Sequence, residues 1–196
     1  MIGPAAIGRR RAALRLLQFL VTAPLLLGEV RGQSSVLSDG ASAEVRLKAA
    51  FICKFGNYVE WPTGEKKVEE PFVIGALTSS VVVGELTRAA AGHAINGRPI
   101  VVRMIAPGDA LDGLAIVYVG RSHSARLAEL LSAIRGRPIL TVTESDQAID
   151  DGSMVNFVTV DDRVRFDIVL PAAERSSLKI SGRLLALARK VVGAPS

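Results

Sequence analysis

Chemistry in a chain of this length needs side chains that can be activated, and few are present. His93 and His123 stand thirty residues apart. Neither has a metal-binding spacing such as H-x-x-x-H, and the lone Cys53 cannot complete a ligand set with them. The sequence therefore predicts no metal site and no cofactor. Two adjacent acid pairs, Asp150-Asp151 and Asp161-Asp162, could in principle share acid and base work. Both fall in predicted turns, where Asp is favoured because it bonds its own backbone. No phosphate-binding loop, dinucleotide fingerprint or nucleophile elbow occurs. With no cluster of activated groups to assemble, the chain reads as a non-catalytic protein.

Two places could bind without reacting. The segment ending at Val119 runs into Gly120-Arg121-Ser122-His123-Ser124 and then a helix. That gathers free N–H groups, two hydroxyls and a guanidinium at the carboxyl edge of a strand, where open α/β sheets bind small molecules. Ordinary helix capping by Ser122 or Ser124 accounts for the same residues. The other place is the polar face Arg163, Arg165 and Asp167 of a predicted hairpin, which equally suits a solvated surface.

A third feature concerns association. If residues 44 to 60 are helical, Leu47, Phe51, Phe55 and Tyr58 form an apolar stripe widened by Ile52 and Val59. Ala49, Ala50 and Cys53 fall on the opposite side as a strip of small residues. The strip is either a second packing surface with an inert thiol or an interface that lets another backbone approach. In the second case Cys53 could form an intermolecular disulfide.

The elements that would carry these residues form one α/β series. The first helix ends at Trp61-Pro62, before a charged turn at residues 65–70. Phe72 to Thr78 reads as a buried strand, and Val83, Leu86 and Ala90 as the apolar face of a helix that Gly92 ends. Past a loop at Asn96-Gly97, strands are expected over Pro99 to Ile105 and Ala115 to Val119. Leu127, Leu130, Leu131 and Ile134 mark a helix closed by Gly136, and Ile139 to Val142 a fourth strand. Met154 to Leu170 alternates around Asp161-Asp162 as an antiparallel hairpin, and a last helix is expected over Ser181 to Val192. The predicted fold is a single-domain α/β structure: a mostly parallel sheet with helices on both faces and a C-terminal antiparallel hairpin.

The amino end differs from the rest. Arg9, Arg10, Arg11 and Arg15 precede the apolar run Leu16 to Leu27, which is interrupted at Pro24 and followed by small residues. This predicts a signal peptide over residues 1–32, cleaved near Gly32-Gln33, then a flexible segment over 33–43 and the domain over 44–193. An uncleaved anchor is the competing reading, against which the run is shorter than the ~20 residues of a bilayer span. Of 24 basic and 19 acidic residues, five basic and one acidic lie in the first 32, so the net charge falls from +5 to +1 without them. The basic excess belongs to the exported signal and not to a nucleic-acid surface. A lone cysteine leaves the domain without an internal disulfide.

Several segments together carry a family resemblance. Lys48-Ala49-Ala50-Phe51 with Phe55, Val59, Glu60, Trp61 and Pro62 is followed by Gly97-Arg98-Pro99-Ile100 and Arg135-Gly136-Arg137-Pro138-Ile139-Leu140-Thr141-Val142. Met154-Val155-Asn156-Phe157, Arg163 to Phe166, Leu178-Lys179-Ile180-Ser181 and Arg183-Leu184-Leu185 complete the set. In these the chain resembles the YfiR-like family of exported bacterial proteins. The resemblance implies a periplasmic domain, often a homodimer, that regulates an inner-membrane signalling protein such as a diguanylate cyclase by contacting its exported part. The membrane is then reached only through that partner. With one cysteine, switching by an internal disulfide is ruled out here. A small-molecule binding protein using the Ser122 to Ser124 edge is the alternative. A two-lobed binder would need about twice this length, since each lobe is a domain.

Overall fold

Helix α1 (Gly32–Phe55) lays Ile52 and Phe55 into the core and ends at Gly56-Asn57. The computed structural model describes residues 32–62 and 70–193 of the 196-residue chain. Residues 1–31 of the predicted signal peptide thus lie outside the described residues. Positions 33–43, expected to be a flexible segment, are part of α1. Strand β1 (Val59–Glu60) follows, where a helix running to Trp61 was expected. The difference arises because Val59 and Glu60 have an extended partner far along the chain, β9 (Lys179–Ile180), in a small antiparallel sheet. Tertiary pairing overrides the helical spacing.

The main sheet is built from β2 (Phe72–Leu77), β3 (Ala94–Ile95), β4 (Arg98–Met104), β5 (Leu114–Val119), β6 (Leu140–Thr143), β7 (Val155–Val160), β8 (Arg163–Val169) and β10 (Lys190–Val192). Helices α2 (Ser80–Ala90), α3 (Leu127–Ala133), α4 (Leu170–Arg175) and α5 (Gly182–Leu187) connect them. The spatial order is β10-β8-β7-β6-β5-β2-β4-β3. Strands β4, β2, β5, β6 and β7 run parallel, and β8 returns antiparallel to β7. This is the single-domain, mostly parallel α/β sheet with a C-terminal hairpin that the sequence predicts. The hairpin turns at Asp161 and Asp162, with φ of 49° and 55°, a left-handed pair that Asp tolerates and a two-residue hairpin requires. The same geometry at Asn96 and Gly97 joins β3 to β4.

Two cores lie on the two faces. On one, α1 and α2 cover Ile74, Ala76, Ile116 and Tyr118, and Phe55 meets Phe166 edge-on with centroids 5.2 Å apart and Phe157 at 5.9 Å. On the other, α3 places Leu127, Leu131 and Ile134 against Val117 and Val119. Burying each such side chain is worth about 1.5–3 kcal/mol. The last expected helix is correct only to Leu187. Beyond it the chain extends as β10, parallel to β8, because Arg189 reaches back to Asp167 and Val191 and Val192 suit a strand. No helix among the described residues is long and apolar enough to cross a membrane.

Candidate functional site

The order β4-β2-β5-β6-β7 reverses direction between β2 and β5. From β2 the chain crosses outward to β4, then returns past β2 to β5 and continues the other way. At such a switch point the loops leaving two neighbouring strands diverge and open a crevice at the strands' carboxyl ends. A cavity of about 250 Å³ lies there, bounded by Thr78 after β2, Gly120 after β5, Glu144 after β6, and Glu44, Lys48 and Ile52 of α1. A hollow of about 420 Å³ near Arg135, Asp151 and Arg175 is larger, but it opens by Thr141 and Met154 at the strands' amino ends.

The polar floor of the crevice is a linked set of buried groups. The Lys48 ammonium donates to Glu144 Oε2 at 2.8 Å and also to Glu44, four residues back on the same helix face. The Tyr118 hydroxyl donates to the other Glu144 oxygen. Lys48, Tyr118 and Glu144 are 8%, 2% and 7% exposed, so the pair is desolvated on both sides. Burial, then the Glu144 carboxylate, pushes the Tyr118 hydroxyl well above its usual range. It is therefore a fixed neutral donor and not a base. The carboxylate sits where it does because the Glu144 N–H bonds the Val119 carbonyl at 3.2 Å. Asn156 Oδ1 then accepts from Thr143 Oγ1 at 2.9 Å and from the Ser145 N–H at 3.1 Å, fixing the loop.

Gly120 is needed for space and not for its dihedral angles. A Cβ there would lie 2.4 Å from Thr78 Oγ1, inside any permitted contact. The strands β2 and β5 can therefore end side by side only with glycine at this corner.

Of the residues read from the sequence as a binding edge, Arg121 and Ser122 line this crevice and His123 and Ser124 do not. The four stand on a 3-10 helix (Arg121–Arg126) before α3, and its N-cap is Gly120 with no side-chain cap. The expected capping by Ser122 or Ser124 is thus absent, and Ser122 Oγ lies 2.9 Å from His123 Nδ1 instead. The guanidinium of Arg121 is largely exposed, 4.0 Å from Asp146 at the mouth.

The small-residue strip on α1 is covered within the chain. Ala49 and Cys53 are buried against α2, Ala50 is half-buried, and the Cys53 thiol faces the Leu86 carbonyl. Of the two expectations, the second packing surface is the one that the structure builds. Burial pushes the Cys53 thiol up from 9.0 to about 11, so at neutral pH it holds almost no thiolate for exchange. The polar face of the hairpin also divides. Arg163 and Arg165 are exposed, but Asp167 is buried and takes Arg189 Nε at 2.8 Å.

Sequence reasoning missed Glu44, Lys48, Tyr118 and Glu144 because, beyond the Glu44 and Lys48 helix pair, nothing local joins them. They come from α1, β5 and the loop after β6. The one available signal was charged Lys48 beside the buried face of an apolar helix, which needs a partner.

A family model described as YfiR/HmsC-like matches residues 45–189. Among solved structures, a conserved domain protein from Vibrio cholerae O1 biovar El Tor strain N16961 is similar at 12% identity with a TM-score of 0.51. The alignment covers 75% of this chain and 60% of that one, so the likeness is one of fold alone. No curated protein matches the chain.

Proposed function

Because the chain belongs to the YfiR/HmsC-like family, we propose that it is a periplasmic regulatory protein controlling an inner-membrane signalling protein, such as a diguanylate cyclase, by direct contact with the exported part of that protein. The family is one of periplasmic regulators of signalling, not of catalysts. The observation that supports the reading is the extent of the match, residues 45–189, which takes in both cores and all of the crevice lining except Glu44. In this reading the chain catalyses nothing, works as a homodimer, and reaches the membrane only through its partner.

A second reading, that the protein binds a small molecule, is favoured by the crevice at the switch point. It is compatible with the first. An occupant beside Arg121 and Ser122 would meet the Lys48 to Glu144 link that ties α1 to the sheet, and so bears on how α1 is held.

The test of the main reading is crosslinking in intact cells with identification of the captured protein. The expected product is an inner-membrane protein with an exported sensor part and a cytoplasmic signalling domain. Deleting the chain should then change the output of that domain. Capture of periplasmic proteins alone, with signalling output unchanged on deletion, would overturn it.

A further inference from the structure

Strand β4 lies at one end of the main sheet with only part of its outer side covered. Its inner side pairs with β2 along Ile100 to Met104, while β3 covers the outer side only at Arg98 and Pro99. Two hydrogen bonds fix which way the backbone groups point. The Ile100 N–H donates outward to the His93 carbonyl at 3.1 Å, and the Ile105 N–H donates inward to the Ala76 carbonyl at 3.0 Å. Successive strand residues alternate sides, so Val102 and Met104 present N–H and C=O outward, as does the Ile100 carbonyl. Among the described residues nothing pairs with these groups. Such an edge is a template for another strand unless proline, charge or a bulge blunts it. Pro99 is under β3 and leaves residues 100–104 uninterrupted. The single charge, Arg103, is folded back to the Ala110 carbonyl at 3.0 Å. Besides Arg103, the exposed side chains along the run are apolar, Val101 at 44% and Met104 at 54%.

The geometry points to a second copy of this chain as the occupant, an inference that rests on the homodimer of the proposed function, its β4 lying antiparallel across a two-fold axis with Val102 opposite Val102. A two-fold pairing must set outward groups against outward groups, which leaves registers centred on residues 101, 102 or 103. Centring on Arg103 puts two guanidinium groups directly opposite each other. Centring on Val101 drives Met104 against Arg98, whose outer side β3 already occupies. Centring on Val102 sets Met104 against Ile100 and Arg103 against Val101, with no like charges opposed. The run also fits in length. It is bounded on one side by β3 and on the other by the turn in which the Asp109 N–H bonds the Ala106 carbonyl at 3.1 Å. The Val102 and Met104 N–H groups of each copy then supply about four new ladder bonds, the Ile100 N–H keeping its bond to His93. The contact is self-complementary and closed, so it stops at two copies.

Cysteine pairing reads the register directly. Val101 and the partner copy's Arg103 become a non-hydrogen-bonded pair with Cα atoms about 4.5 Å apart, within disulfide reach. The doubly substituted protein, Val101→Cys with Arg103→Cys, should convert to a covalent dimer on mild oxidation. Each single variant should remain uncrosslinked, having no thiol opposite. Independently, Met104→Pro removes an N–H that bonds nothing within the chain. It should shift the sedimentation profile from dimer to monomer with the circular dichroism spectrum of the fold retained, and the thermal midpoint should lose its dependence on protein concentration. A wild-type protein that sediments as a monomer at every soluble concentration would overturn the homodimer reading and this pairing together. A dimer that survives Met104→Pro and leaves the cysteine pair unlinked would overturn the pairing alone. If Met104→Pro does not fold, the cysteine pair still decides.

Discussion

Replacing Lys48 by Met keeps the length of the side chain and removes its charge, leaving Glu144 in the crevice floor with only the Tyr118 hydroxyl as partner. Removing one member of a buried ion pair typically costs 3–5 kcal/mol, because the remaining charge is desolvated and uncompensated. The hydroxyl moderates this, and Glu44 loses little because its side chain is 39% exposed. The expected loss is therefore about 3 kcal/mol. For a domain of this size that is a fall of roughly 6–12 °C in thermal midpoint. Urea unfolding at neutral pH, followed by circular dichroism, measures it. The sharper readout is the partner substitution. Glu144→Gln removes the orphaned charge and still accepts from Tyr118, so the double variant should be more stable than Lys48→Met alone. A cost below about 1 kcal/mol for Lys48→Met, or a double variant whose loss equals the sum of the singles, would show that the two groups do not interact. The crevice would then have no fixed polar floor.

Three further outcomes follow from the packing. Gly120→Ala should cost about 1–3 kcal/mol in denaturant unfolding, and Thr78→Ala in the same chain should recover part of it by removing the hydroxyl that the new methyl strikes. Cys53 should resist alkylation in the native protein at neutral pH and react once denatured. Its folded value of about 11 lies above 9.0, so stability should be intact below pH 9 and fall as pH rises toward 11; Cys53→Ala should lessen that slope in a pH series of urea melts, leaving the part that the raised Tyr118 hydroxyl contributes at the alkaline end. Trp61→Ala should cost about 2 kcal/mol by the same assay, less than full burial would give, since the indole is half-buried and packs edge-on to Phe72 at 5.2 Å.

The regular parts of the fold were legible because one local pattern decided them. Leu86 and Ala90 on α2, Leu127 and Leu131 on α3, and the alternation on either side of Asp161-Asp162 carry their periods within a dozen residues. What was not legible depends on partners far away in the chain. Val59 reads as the last turn of a helix until Ile180 pairs with it, and Val191 as part of a helix until Ile168 does. The binding edge was located to the correct strand end, since Arg121 and Ser122 do line the crevice. Its charged floor was not, because Lys48 lies 96 residues from Glu144 and no spacing rule spans that interval. The strip at Ala49 and Cys53 left two readings open for a related reason. Small residues on a second helix face suit a partner helix, and periodicity does not say whether that helix belongs to the same chain.

The aromatic contact between α1 and the hairpin also sets when the protein can fold. Phe55 is near the start of the domain, and the rings it packs against, Phe157 and Phe166, arrive about a hundred residues later. The pairing of β1 with β9 closes over a similar interval. In a chain that emerges amino end first, whether from a ribosome or through a membrane channel, α1 has no aromatic bed to settle on until β7 and β8 have followed it. The α2 side of α1 can be covered early, but its aromatic side stays uncovered until nearly the whole chain has emerged.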